Sequence, residues 1–371
     1  MNIRTAFDGG CMQPCDIEGN LIRFDFTGPR KVGEGHVFFF EVETEHPALR
    51  VRLRLDRKGA RHLSAQGVVA GRDFGAYSTY PLEPSGAEFE YEAVIPVSGG
   101  VVRVANRYPY GRDALDALLC ETSACPHGRW RQVRRDGRAF PMFELGDPDS
   151  PLIHYFVAGE DAWETSSIWT ADAMIRALHA DAALREKVLC KGCCRLVPLL
   201  SPYSATRESH SYITPQNEHL YLGAAWGDAK RPPELAAMSE MIESSIRERR
   251  LGLVFPLHAY EAAKPYSELE AIETSGARRL SPERKAWAWR VLETLAAEVP
   301  NSKAVLPEKV WYPGNARHYL LDRFNALTFR IEVTTAGVGF DYFRACGRGL
   351  LSGFAQLEDW SQVLPLDGPA S

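Results

Sequence analysis

The chain has 371 residues, 45% apolar and 25% charged, a globular composition on a chain longer than one hydrophobic core usually organises, so two domains are expected. Its formal net charge of −5 leaves no surplus of Lys and Arg to neutralise a phosphate backbone, which argues against nucleic acid as a partner. No apolar run approaches the roughly 20 residues that cross a bilayer, and Met1 to Asn20 lacks the basic-then-apolar order of an export signal, so a cytoplasmic protein with no membrane partner is expected.

From Gly19 to Ala105 the pattern is strand-like. Apolar residues fall at every second position in Leu21-Ile22-Arg23-Phe24-Asp25-Phe26 and in Leu49-Arg50-Val51-Arg52-Leu53-Arg54-Leu55, and Val37 to Val42, Phe89 to Ile95 and Val101 to Val104 continue the series between Gly, Pro and charged turns. This reads as an antiparallel β-sandwich occupying residues 1–106. After Tyr108-Pro109-Tyr110 the period changes. Asp113 to Leu119 and Ser167 to Leu178 carry helical spacing behind Asp or Ser caps. Strands at Ile153 to Ala158, Leu196 to Leu200, Gly252 to Leu257 and Leu327 to Val333 then alternate with helices at Pro233 to Arg249, Pro282 to Glu298 and Phe343 to Gln356. Residues 107–371 therefore read as an α/β domain with a mixed, mainly parallel sheet flanked by helices, whose ligands belong beyond the carboxyl ends of the strands.

Eight cysteines are spread along the chain, and without an export signal they are expected to be reduced. Cys11, Cys15, Cys190, Cys193 and Cys194 can be read as a thiolate metal site, but their spacing repeats no paired Cys-x-x-Cys frame, and buried thiols are the plainer reading.

Three strand ends carry ionisable residues that a buried sheet tolerates only with a reason. The strand ending at Ala158 runs into Gly159-Glu160-Asp161-Ala162-Trp163-Glu164-Thr165, where Asp161 and Glu164 share one tight turn and can ligate one cation. The strand from Leu253 ends in His258, and Glu332 lies inside the apolar run Leu327 to Val333. A carboxylate there must be paired, protonated or functional. Taken singly, a strand-end His is more often a hydrogen-bonded core residue, and Asp-x-x-Glu is more often a helix cap.

In this order the segments resemble the zinc carboxypeptidase family, and within it the cytosolic carboxypeptidase branch, whose members carry a β-sandwich before the catalytic domain. Asn20-Leu21 resembles the branch's opening segment, and Arg107-Tyr108-Pro109-Tyr110, followed by Leu115 and Leu118-Leu119, its Pro-Tyr junction. Ala158 to Thr165 falls on the family's Gly-x-His-x-x-Glu-Thr metal motif, and Val197-Pro198-Leu199-Leu200-Ser201-Pro202 on its Val-Pro-x-x-Asn-Pro strand end. Leu257-His258 falls on the strand of the third ligand, and Phe329-Arg330-Ile331-Glu332 on the strand of the catalytic Glu. The resemblance implies one Zn²⁺ held by Asp161, Glu164 and His258, with Glu332 as the general base.

Two departures stand beside these matches. Asp161 occupies the position of the family's first His ligand, and two anionic ligands leave a bound water less acidic and favour weaker binding or a harder cation such as Mn²⁺. Ser201-Pro202-Tyr203-Ser204 and Tyr221-Leu222-Gly223-Ala224-Ala225-Trp226 replace the family's Asn-Pro-Asp-Gly and Asp-Leu-Asn-Arg-x-Trp, so the Asn and Arg that clamp a terminal carboxylate are missing from their usual address. Arg330 is a candidate replacement, because residues two apart on a strand share a face and Glu332 must face the metal. In the family this position helps choose the leaving side chain, so the resemblance implies that an Arg there favours an acidic released group. Its plainer role is an ion pair with a neighbouring carboxylate. Arg207 is a second candidate, for the oxyanion, and otherwise a solvated loop residue. The expected activity is metal-dependent hydrolysis of a peptide or acyl-amino-acid amide. The rivals are an amidase or deacylase acting without terminal carboxylate recognition, and a non-catalytic binding protein of the same fold.

Overall fold

The structure, a computed structural model, describes residues 1–6, 15–27, 38–57, 60, 67–72, 77–97, 100–205, 212–214, 219–260, 264, 266–270, 280–305, 314–360 and 362–363. Among them the chain opens with Asn2–Arg4 (β1), Cys15–Glu18 (β2), Leu21–Phe26 (β3), Phe39–Glu43 (β4), Ala48–Leu55 (β5), Val68–Gly71 (β6), Ser78–Tyr80 (β7), Glu83–Pro84 (β8), Glu90–Pro96 (β9) and Val101–Ala105 (β10). They form two sheets, in spatial order β1-β4-β10-β6-β7 and β2-β3-β5-β9-β8. In β5 the residues Leu49, Val51, Leu53 and Leu55 are buried and the intervening arginines are not, which gives the strand one wet face. Those apolar faces close on Phe24, Phe38, Phe40, Ile95 and Val104. The expected antiparallel pairing is found at every described pair of these sheets except β3 with β5, which run parallel.

The second half runs through Arg112–Glu121 (α1), Gly128–Arg135 (β11), Arg138–Leu145 (β12), Ile153–Ala158 (β13), Thr165–Ala180 (α2), Ala182–Leu189 (α3), Cys193–Val197 (β14), Pro202–Ala205 (α4), Tyr212–Ile213 (β15) and His219–Leu220 (β16). It continues with Pro233–Arg247 (α5), Leu251–Tyr260 (β17), Ser267–Glu270 (β18), Pro282–Glu298 (α6), Ser302–Val305 (β19), Ala316–Phe324 (α7), Arg330–Thr334 (β20) and Phe340–Gln356 (α8). One eight-stranded sheet orders them β11-β12-β14-β13-β17-β20-β18-β19. Its centre, β14-β13-β17-β20, is parallel throughout. The expected mixed, mainly parallel sheet is thus present. Phe156, Phe255 and Phe329 on one face meet Met174, Leu292, Leu295 and Phe354 of α2, α6 and α8. Tyr155, Val157 and Val254 on the other meet Leu235, Met238 and Ile242 of α5 and Leu320 of α7.

The strand expected at Leu196 to Leu200 begins three residues earlier. Cys193 and Cys194 are fully buried in it and act as small apolar residues. Burial pushes the Cys193 thiol up to about 11, the opposite of what a thiolate ligand needs. Cys11 lies outside the described residues. No helix among the described residues is long and apolar enough to cross a membrane.

Candidate metal centre

The site forms where β13 and β17 end. Gly159 turns the chain at φ +70°, and a Cβ there would lie 2.7 Å from Leu199 Cδ1, so only glycine admits this tight exit from β13. The backbone N–H groups of Leu200 and Ser201 bond to the Ala158 and Gly159 carbonyls at 2.9 and 3.1 Å, which fixes the exit against the extension of β14. Asp161 follows, and the Glu164 N–H donates to its carbonyl at 3.0 Å.

Glu164 is the N-cap of α2, yet its carboxylate makes no capping bond. It turns instead to β17, where Oε2 accepts from the Ala259 N–H at 3.1 Å and lies 2.8 Å from His258 Nδ1. Asp161, Glu164 and His258 are all buried, and one ligand atom from each lies within 4.8 Å of the others. Four of the sequence candidates are therefore brought together, because Glu332 on β20 pairs in register with His258. Arg330, one turn of the pleat away, forms an ion pair with Glu332, which is the plainer of its two expected roles. Arg207 lies outside the described residues.

Several buried groups around this set carry no signal in the sequence. The Glu160 carboxylate lies 3.6 Å from His258 Nε2 on the far side of the ring, and its Oε1 has no hydrogen-bond partner. Glu270 on β18 pairs with Arg317 at the start of α7 at 2.8 Å. Tyr221 lines a cleft with Glu160, His258, Arg317 and Arg330. Five buried carboxylates, from Glu160, Asp161, Glu164, Glu270 and Glu332, thus face two guanidiniums and one imidazole. Such an excess of buried negative charge is costly without a cation.

The titration behaviour follows. Burial lifts the Glu332 carboxyl to about 7, against the downward pull of Arg330 and His258. Burial and the Arg330 charge oppose the His258 imidazolium, but Glu164 and Glu160 outweigh them and hold its pKa above the usual value. Burial likewise raises the Glu160 carboxyl. Two carboxylates and an imidazole in mutual reach are a donor set that suits zinc or manganese, and the residues fit a divalent cation.

A central parallel sheet with this group at its strand ends, behind two front sheets, is the zinc carboxypeptidase fold. The chain is similar to a metallo-carboxypeptidase from Pseudomonas aeruginosa solved in complex with (2-guanidinoethylmercapto)succinic acid, at TM-score 0.78 and 20% identity over 96% of this chain and 98% of that one. It is equally similar to a metallo-carboxypeptidase from Burkholderia cenocepacia, at TM-score 0.78 and 16% identity over 95% of this chain and 98% of the other. No protein-family model and no curated protein matches the sequence.

Proposed function

We propose that the chain is a metal-dependent hydrolase of amide bonds, of carboxypeptidase type, acting on a peptide or an acyl amino acid. The observation that carries this reading is the convergence of Asp161, Glu164 and His258 within 4.8 Å, with Glu332 in register beside His258. Asp161, Glu164 and His258 would hold the ion. A divalent cation there supplies Lewis-acid polarisation of the scissile carbonyl and of a water molecule. Glu332 accepts the proton of that water as its oxygen attacks the carbonyl carbon, and then delivers the proton to the departing amine nitrogen. Its carboxyl near pH 7 suits both halves of that transfer. Arg330 holds the Glu332 carboxylate and presents a guanidinium to the leaving side of the substrate, which favours an acidic released residue.

The test has two parts. Purified protein titrated with Zn²⁺ or Mn²⁺ binds one ion per chain, and Glu332→Gln retains that ion while turnover of N-acyl amino acids falls by about two to four orders of magnitude. A protein that binds no divalent ion, or a Glu332→Gln variant as active as the parent, ends this reading and leaves the binding-protein alternative.

A further inference from the structure

The imidazole of His258 stands between two carboxylates. Glu164 Oε2 lies 2.8 Å from Nδ1, and Glu160 Oε2 lies 3.6 Å from Nε2 on the opposite edge of the ring. Glu160 has no part in the reaction proposed above, yet it is 1% exposed and immediately precedes Asp161 in the turn out of β13. We propose that Glu160 is a positioning residue of the metal centre. Its carboxylate accepts the Nε2–H of His258 and so leaves the Nδ1 lone pair to the ion, an inference that rests on the metal-dependent reading above.

Three observations carry it. The first is burial. A carboxylate beside a turn is ordinarily solvated, and one withdrawn from water is costly unless a donor meets it. Glu160 Oε1 has no hydrogen-bond partner and Oε2 faces the ring, so the imidazole is the ion-pair partner that the described residues give this acid.

The second is the use of the other nitrogen. Glu164 Oε2, which also accepts from the Ala259 N–H at 3.1 Å, approaches His258 at Nδ1, so that edge of the ring meets the proposed co-ligand. An imidazole that gives Nδ1 to a cation keeps one proton, on Nε2, and the proton displaced from Nδ1 leaves to solvent. In a buried site the remaining N–H needs an acceptor. Among the described residues Glu160 Oε2 is the carboxylate oxygen that faces it, roughly half an ångström beyond hydrogen-bond length and within reach of a small rotation of either side chain.

The third is the backbone. The Ser201 Oγ donates to the Glu160 carbonyl at 3.4 Å, beside the bonds from the Leu200 and Ser201 N–H groups that fix the exit of β13. His258 is held within β17, in register with Glu332. Carboxylate and ring thus project from restrained main chain, as a preorganised support requires. A carboxylate on the outer N–H of a metal-bound imidazole fixes the tautomer and orientation of the ring and makes its other nitrogen a better donor. Glu160 therefore strengthens the hold on the ion.

The parent protein, labelled with heavy-nitrogen histidine and loaded with spin-active Cd²⁺, reports the binding nitrogen by NMR through its scalar coupling to the metal. That measurement needs no variant. Coupling is expected at Nδ1, with a proton retained on Nε2 of the same ring, and coupling at Nε2 overturns the proposal. Zn²⁺ affinity, read by competition with a chromogenic chelator, is expected to fall about 10- to 100-fold in Glu160→Met. Glu160→Gln, whose side-chain carbonyl still accepts from Nε2–H, is expected to recover at least about threefold of that loss. A Glu160→Met variant that binds Zn²⁺ as tightly as the parent overturns the proposal. So does a Glu160→Gln variant as weak as Glu160→Met, which would leave Glu160 only a distant charge. A parent that binds no divalent ion defeats this inference together with the function proposed above. Coupling at Nδ1 with the expected affinities but no hydrolysis would uphold the positioning of His258 and defeat the hydrolase reading. Hydrolysis with coupling at Nε2 would do the reverse.

Discussion

In the proposed metal centre, the carboxylate of Asp161 would set the choice of ion. With Glu164 it gives two hard, anionic oxygens to one imidazole nitrogen, where a set with two imidazoles would suit zinc better. Asp161→His is therefore expected to raise Zn²⁺ affinity relative to Mn²⁺ by about tenfold or more, and Asp161→Ala to lose measurable binding of both. Competition against a chromogenic chelator reads both effects, and an unchanged Zn²⁺ to Mn²⁺ ratio in Asp161→His would remove Asp161 from the ligand set. The same residue explains what was legible in the sequence. His258 and Glu332 announce themselves because each interrupts an apolar strand, and Asp161 and Glu164 because they share one turn that falls on the metal motif of the family the segment resembles. Glu160 and Arg317 do not, since a charged residue beside a turn or in the first turn of a helix is ordinarily solvated. Arg317 is buried at the start of α7, just after Gly314 closes on Ala224, about ninety positions earlier in the chain, and no local pattern marks that contact.

At the scale of elements, β13 and β17 begin, at the end away from the metal site, with a shift of register between Ile153 and Tyr155, and an imidazole is built into it. His154 Nδ1 accepts from the Leu253 N–H at 3.0 Å and Nε2 lies 3.0 Å from the Lys191 carbonyl, so the ring is neutral with its proton on Nε2. Gly252 lies under the ring, where a Cβ would come within 2.4 Å of it. Burial lowers the His154 pKa from 6.5 to about 4. Because the folded value is depressed, the contribution to stability is complete above pH 6.5 and is lost as pH falls towards 4. Over that window the fold should lose roughly 3 kcal/mol through this residue. Urea unfolding of the parent and of His154→Gln between pH 7 and 4 checks it. The variant starts from lower stability but should lack most of the slope, and parallel curves would assign the acid sensitivity elsewhere. The sequence reading found these strands by their apolar runs, with β13 at its full length. It placed β14 too late because Arg195 interrupts the apolar run, and in this sheet it passed over β11, β12, β18 and β19. In β11 arginines alternate with Trp130 and Val133 along a sheet edge, so the pattern resembles a solvated loop more than a strand.

Across the whole molecule, the two halves share one core. Phe39, Val69 and Tyr77 of the front sheets pack in the same cluster as Trp169, Phe340 and Phe343, with Tyr108 and Tyr110 between them. Tyr108 meets Phe343 edge-on at 5.3 Å, and Tyr110 meets Trp169 at 4.7 Å while its hydroxyl donates to Asp172 at 3.0 Å. Arg107 Nη1 donates to the Trp163 carbonyl at 3.1 Å, inside the turn that carries Asp161 and Glu164. The junction thus braces the turn of Asp161 and Glu164 as well as joining the sheets. The sequence marks it as a change of period at Tyr108-Pro109-Tyr110, but contacts between residues more than two hundred positions apart leave no local pattern to read. An interface of buried aromatic rings couples the unfolding of its two sides. The full chain should therefore unfold in one calorimetric transition, with van't Hoff and calorimetric enthalpies that agree. Arg107→Ala removes a charged hydrogen bond worth about 1.5–3 kcal/mol, and it should lower Tm and metal affinity together because the turn that holds two ligands is released. Two resolved transitions, or an Arg107→Ala variant that loses stability while binding its ion as tightly as the parent, would mean that the front sheets and the metal turn are energetically separate.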